Sequence, residues 1–273
     1  MAFYDTWDAF FGSEISIKFE DAFGDVNTFD NTGIAAANLP DIGTFLSGAF
    51  RQAGPVTDYA GTDYSVAFSG SNSGRRTTGS MQQVNQPIGT FACAFKTGIG
   101  DTGVSTLWGQ GTTFREARME FKLDANGFFQ VYLRQNSFGD NSATWTGNVD
   151  LRDGAWHLVI IRQKNDGTGM EIFIDSNVAG TLTKVDGSGF SDDADAWFQY
   201  VATTSNGNER QYCSDNGFTG ADHLLGNLAI IGLRQAAMSD ADITILMAGG
   251  EWAVADFSNK TIRRKNRRIY FDI

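Results

Sequence analysis

Proline, cysteine and histidine are scarce in this chain: three, two and two among 273 residues. Two cysteines exclude a disulfide-stapled scaffold. Two histidines without a Gly-x-Ser-x-Gly motif give little support to a nucleophilic triad. A His–Cys zinc site would need more ligands at tight spacing, and no phosphate-binding loop is present. No run of about 18 apolar residues occurs, which excludes a membrane-spanning helix. Positive charge is also short. Against 32 Asp and Glu stand 21 Lys and Arg, a formal net charge of −11. Such a body is repelled by phosphate backbones, so nucleic acid is not expected as its partner. The first eight residues, with Phe3, Tyr4, Asp5, Trp7 and Asp8, lack the basic start and apolar run of a signal peptide. The expected route is synthesis in a cytoplasm without ordinary export.

What the chain has is glycine and aromatics: 32 Gly and 22 Phe, with 41% hydrophobic and 19% charged residues. A core can form, and this composition suits short strands joined by tight turns. One domain of this length is compatible with an all-β sandwich. Period-two alternation places Ile15, Ile17 and Phe19 on one strand face, and Tyr64, Val66 and Phe68 on another. Residues 119–124 alternate, 125–127 form an Asn-Gly turn, and 128–133 return as a hairpin partner. Residues 156–162, the turn 165–169 and residues 170–175 repeat the pattern, and 228–233 is a further strand. Phe91, Cys93 and Phe95 share a buried strand face, so a free buried thiol is the favoured reading of Cys93; a Cys93–Cys213 disulfide is the alternative. One helix is predicted over 239–250, with Ser239 as N-cap, acids in the first turn and a glycine pair at its end. Residues 21–63 and 186–224 read as loop-rich. The fold class is an all-β antiparallel sandwich with one short helix near the C-terminus.

Candidate chemistry is sparse. Glu120 with Asp124 and Glu171 with Asp175 share strand faces, the arrangement a glycosidase needs. Each pair alternates with hydrophobic residues, so solvated acids on the wet face are expected instead. His157 sits in a hydrophobic strand and reads as structural. Asp192, Asp193 and Asp195 put three hard oxygen donors in one loop, which makes calcium a candidate cofactor. Trp145, Trp197, Tyr200 and Tyr212 fall in expected loops, where exposed aromatics stack on sugars; roofing the ends of the core is the competing role. The last 14 residues hold Lys260, Arg263, Arg264, Lys265, Arg267 and Arg268 against one acid, Asp272. We read a body of residues 1–250 and a basic tail of 251–273. In the tail, Arg263, Arg264, Lys265, Arg267, Arg268, Tyr270 and Phe271 would dock on an acidic partner surface, and a terminal strand would add to a sheet edge.

Three passages resemble the laminin-G-like, concanavalin A-like jelly rolls. They are 63–70 with its hydrophobic-x-Phe-x-Gly phrase, 153–162 with Asp-Gly-x-Trp-His and its partner strand 170–175, and 226–233 followed by the helix. Ser176 stands where the family pattern has glycine, and 186–224 reads as an insertion. The resemblance implies a non-enzymatic binding fold. It also resembles chains found on bacteriophage tails and capsid surfaces. The expectation that follows is a virion structural protein that docks, through its tail, on other virion proteins and copies of itself. The alternative is a carbohydrate-binding module that attaches to host surface glycan, with or without calcium. A divergent glycosidase is the third reading.

Overall fold

The computed structural model describes residues 3–11, 15–18, 30–31, 48–55, 64–70, 75–79, 87–98, 101–112, 118–134, 142–188, 197, 208–212 and 222–249. In chain order the elements are α1 (Phe3–Phe11), β1 (Ile15–Lys18), β2 (Asp30–Asn31), β3 (Gly48–Ala53), β4 (Tyr64–Ser69), β5 (Arg75–Gly79), β6 (Gly89–Thr97), β7 (Ser105–Thr112), β8 (Arg118–Leu123) and β9 (Phe128–Arg134). They continue with β10 (Ser142–Asp150), β11 (Trp156–Gln163), β12 (Glu171–Ile174), β13 (Gly180–Thr181), β14 (Thr183–Ser188), β15 (Asn208–Tyr212), β16 (Leu225–Arg234) and α2 (Asp240–Met247).

The strands form two antiparallel sheets. Sheet A runs β13-β12-β11-β6-β16-β1-β2, with β4 also on β16 and β3 on β4. Sheet B runs β14-β10-β9-β8-β7-β15-β5. The expected antiparallel β-sandwich is the observed fold. The 118–134 hairpin turns at Gly127, which has φ +82°, a conformation that favours glycine. A Cβ there would also collide with the Asp150 carboxylate, 2.0 Å away. Strand β15 falls in the stretch expected to be loop, and it pairs with both β7 and β5.

The core between the sheets follows from alternation. From sheet A come Phe91, Cys93, Phe95, Val159, Ile161, Ile172 and Ile174; from sheet B come Trp108, Met119, Phe121, Leu123, Phe129, Val131 and Leu133. Phe91 and Phe121 stack across the gap at 3.8 Å between ring centroids. Cys93 is a buried free thiol, and burial pushes its pKa well up. Cys213 lies outside the described residues.

Sheet A is buried on its other face as well. Ala92, Ala94, Leu158, Ile160, Phe173, Ala229 and Ile230 point outward into a second core with Phe3, Trp7, Phe11, Ile243, Leu246 and Met247. Helix α1 supplies Phe3, Trp7 and Phe11 at i, i+4 spacing, which places them on one helix face. Trp7 and Phe11 lie 4.6 Å apart by centroid. Small residues on the sheet let the aromatic helix come close. A Cβ on Gly232 would stand 2.6 Å from Phe11 and 2.7 Å from Trp7. Helix α2 begins with the predicted Ser239 cap, closed reciprocally with Asp242 as a capping box. No described helix is long and apolar enough to cross a membrane.

Trp7→Ala is expected to lower stability by about 3–5 kcal/mol by opening a cavity. Gly232→Ala is expected to cost about 1–3 kcal/mol by overpacking the same contact. Urea unfolding of both variants checks these values.

Candidate functional site: the outer face of sheet B

With sheet A covered by helices, the outer face of sheet B is where polar side chains gather on strands. Its inner positions are filled by core residues, so alternation sends Arg118, Glu120 and Lys122 of β8 outward, with Gln130, Tyr132 and Arg134 of β9 and Thr144 and Thr146 of β10. The register sets Arg118 opposite Arg134, Glu120 opposite Tyr132 and Lys122 opposite Gln130. Tyr132 faces Thr144 and Gln130 faces Thr146 on the next strand. On the other side Gly109 lies opposite Glu120. A Cβ on Gly109 would already press on the Glu120 side chain at 3.2 Å.

The Tyr132 ring carries two cations, the Arg118 guanidinium 4.9 Å and the Lys122 ammonium 5.1 Å from its centroid. Attraction to the ring face holds both against the sheet. Glu120 lies between them, 3.4 Å from Arg118 Nε and 3.9 Å from Lys122 Nζ. The row is recessed, with side-chain exposures of 17% for Arg118, 7% for Glu120 and 18% for Lys122. Gln130 donates to Thr146 Oγ1 at 3.1 Å and to Asp124 Oδ2 at 3.4 Å. Asp124 also accepts from the backbone N–H of Asn126 and Phe128, which ties it to the turn. The surface therefore offers cations, amide and hydroxyl groups and one aromatic ring on a rigid sheet.

Two buried cations elsewhere are fully engaged. His157 lies between Asp175 Oδ2 at 2.7 Å and Asp153 Oδ1 at 3.0 Å. Burial alone would lower its pKa, but hydrogen bonds and charge from Asp153 and Asp175 outweigh it and raise it to about 9. Burial raises Asp175 and prevails over the lowering by His157; in Asp153 the His157 bond and charge prevail over burial and lower it. Asp175 has φ +54° and accepts from the Leu158 N–H at 2.8 Å, so it closes the β11–β12 end of sheet A. Arg162, 4% exposed, donates to Glu171 at 2.7 Å, to Asp240 at 2.7 Å and to the Met238 carbonyl at 2.8 Å. It thereby pins the start of α2 to sheet A. Arg152 gathers the carbonyls of Gly103, Asp124 and Ala125 at the loop end of sheet B.

These contacts correct the expectation that the strand acids are solvated. Glu120 is 6% and Asp175 9% exposed, because nearby cations and N–H donors replace water. Glu171 is held by Arg162 and Lys164. His157 is structural, as expected from its strand.

The aromatic candidates are corrected too. Trp145 is 3% exposed, because its segment is strand β10 and its position is an inner one. Trp197 is 0% exposed and meets Phe121 edge-on at 6.1 Å, so neither ring offers a face to a ligand. Tyr212 stands on β15 opposite Trp108. Tyr200, the loop Asp192, Asp193 and Asp195, and the docking tail Arg263, Arg264, Lys265, Arg267, Arg268, Tyr270 and Phe271 lie outside the described residues. Among the described residues no group of three His, Cys, Asp or Glu is placed to hold a metal ion. Sequence reasoning missed Arg118, Lys122 and Tyr132. Their signal was there: they are the polar positions of the 118–134 hairpin, whose acids alone drew notice.

No family model and no curated protein matches the sequence. Solved structures do resemble the fold. The CBM40 of the Ruminococcus gnavus IT-sialidase bound to α2,3-sialyllactose is 14% identical, matches over 60% of this chain and 83% of that one, and has a TM-score of 0.46. The binding domain of botulinum neurotoxin DC in complex with SialylT is 12% identical over 86% of this chain and 50% of that one, at 0.48. A receptor binding domain is 13% identical over 89% of this chain and 52% of that one, at 0.50. The chain spans about half the length of the last two. At these identities the likeness is one of fold. They lend nothing to the virion setting.

The His157 cluster sets a pH dependence. A histidine raised in the folded state adds stability that is full below its ordinary pKa of 6.5 and is lost as pH climbs through about 9. Chemical unfolding from pH 6 to pH 10 is expected to show this decline, and His157→Asn is expected to flatten it over the same window.

Proposed function

We propose that the protein is a non-catalytic carbohydrate-binding module whose ligand lies on the outer face of sheet B. The observation that carries this reading is the recessed row of Arg118, Glu120, Lys122, Gln130 and Thr146 around the Tyr132 ring. Saccharides offer hydroxyl groups that both donate and accept, and C–H faces that lie on aromatic rings. This row offers an acceptor in Glu120, donors in Lys122 and Arg118 held over the Tyr132 ring, and a group of both kinds in Gln130. Rigid strands hold these groups, so little ordering cost falls on binding. Glu120 and Glu171 are engaged with cations, which suits recognition better than proton transfer. Domains of this fold in other proteins are known with sialyllactose bound; in this chain the support comes from its own side chains. Attachment to a host surface glycan, and a place in a virion through the 251–273 tail, are finer proposals that build on this one.

A glycan array probed with the labelled full-length protein tests the reading. Binding to at least one glycan is expected, weakened about tenfold or more in Tyr132→Ala and Gln130→Ala, in line with the loss of a buried contact of about 1.5 kcal/mol each. A wild-type protein that binds no glycan, or variants that bind as tightly as wild type, would contradict it.

A further inference from the structure

One group of the sheet B row has its hydrogen-bonding role settled before any ligand arrives. The Gln130 amide has two protons to donate and one carbonyl oxygen to accept with. Its Nε2 donates to Thr146 Oγ1 at 3.1 Å and to Asp124 Oδ2 at 3.4 Å, so both protons are in use. A carboxylate accepts and cannot donate, so the amide nitrogen, not the oxygen, must face Asp124. Asp124 is itself held, since its Oδ1 accepts from the Asn126 N–H at 2.8 Å and the Phe128 N–H at 2.9 Å. Gln130 Oε1 has no hydrogen-bond partner among the described residues, and it is not one of the buried polar atoms left unpaired. It therefore meets solvent as a fixed acceptor. Its neighbours have the opposite polarity. The register aligns Lys122, Gln130 and Thr146 across β8, β9 and β10. The Lys122 ammonium only donates, and Thr146, whose oxygen accepts from Gln130, keeps its hydroxyl proton to give.

We infer that this site takes a saccharide with a free hydroxyl that donates to Gln130 Oε1, and that Asp124 sets this requirement. The inference rests on the carbohydrate-binding reading and names the feature its ligand must carry. Saccharide hydroxyls on either side of the donating one can accept from Lys122 and Thr146. A sugar etherified, acylated or sulfated at the donating position has no proton to give there, and would set one acceptor against another. An acceptor left unmet in a desolvated contact costs affinity, so a site built on a fixed acceptor rejects a ligand that lacks the donor. Asp124 is a positioning residue: it acts through Gln130 and fixes which end of the amide the ligand meets.

The test compares the full-length protein with Asp124→Asn. In that variant Oδ1 keeps the turn bonds, while an amide nitrogen replaces Oδ2 and donates toward Gln130. The Gln130 amide is then expected to turn over, placing Nε2 toward the ligand. The first arm needs no ligand and follows the Gln130 side-chain amide by NMR, assigned by its loss in Gln130→Ala. In wild type its protons are expected to exchange with water about tenfold more slowly than those of an exposed glutamine, and in Asp124→Asn this protection is lost. The second arm titrates the methyl glycosides of glucose, galactose, mannose and N-acetylglucosamine, each with its monodeoxy and monodeoxyfluoro derivatives. Fluorine accepts weakly and cannot donate. At one hydroxyl position both derivatives are expected to bind wild type about tenfold more weakly than the parent. In Asp124→Asn the deoxyfluoro penalty is expected to fall to about threefold or less, while the deoxy penalty stays. Unprotected Gln130 protons in wild type, or a deoxyfluoro penalty that Asp124→Asn leaves unchanged, would overturn this inference and leave the carbohydrate-binding reading standing. No binding of any parent glycoside together with a silent glycan array would overturn both.

Discussion

The burial of sheet A on both faces is the constraint on which the rest of the structure depends. One face meets sheet B through Phe91, Cys93 and Phe95, and the other receives Phe3, Trp7 and Phe11 of α1 together with α2. Small residues at Ala92, Ala94, Ala229 and Gly232 make the second contact possible, because bulk there would keep the helix away. Over β6, β11, β12 and β16 this packing fills both strand faces with core side chains. Sheet B, with one face in the core, keeps the other for polar side chains, and the two sheets thus divide stability from contact with solvent.

Charge follows the same division. On the sheet A side, buried cations are matched: His157 by Asp153 and Asp175, Arg162 by Glu171 and Asp240. Removing one partner of such a pair leaves an uncompensated charge, so these clusters are held as units. They fasten the β11–β12 end and the start of α2. On sheet B Glu120 lies between Arg118 and Lys122, and the register sets Arg118 opposite Arg134.

Much of the fold was legible in the sequence because period-two alternation and turn chemistry coincide. The 118–134 hairpin, the β11–β12 hairpin, the inner face of Phe91, Cys93 and Phe95, and the Ser239 cap all follow from that agreement. Strand β10 did not, since its Ser, Thr and Gly resemble loop composition; only the inward Ala143 and Trp145 mark it as strand. That misreading turned Trp145 into a surface candidate when its position is in the core. Helix α1 was missed because its periodicity rests on three aromatics alone. The candidate site was legible only by subtraction. Which strands share a face depends on long-range packing, and neither the placing of Arg118 opposite Arg134 nor the cations over Tyr132 can be read until the register is known.

The central claim is that the outer face of sheet B is the ligand face. Backbone amide NMR during titration with a bound glycan tests it most directly. The account predicts shifts concentrated in β8, β9 and β10, around Arg118, Glu120, Tyr132 and Thr146, with α1 and α2 silent. Shifts confined to the helices, or to loops away from these strands, would contradict it.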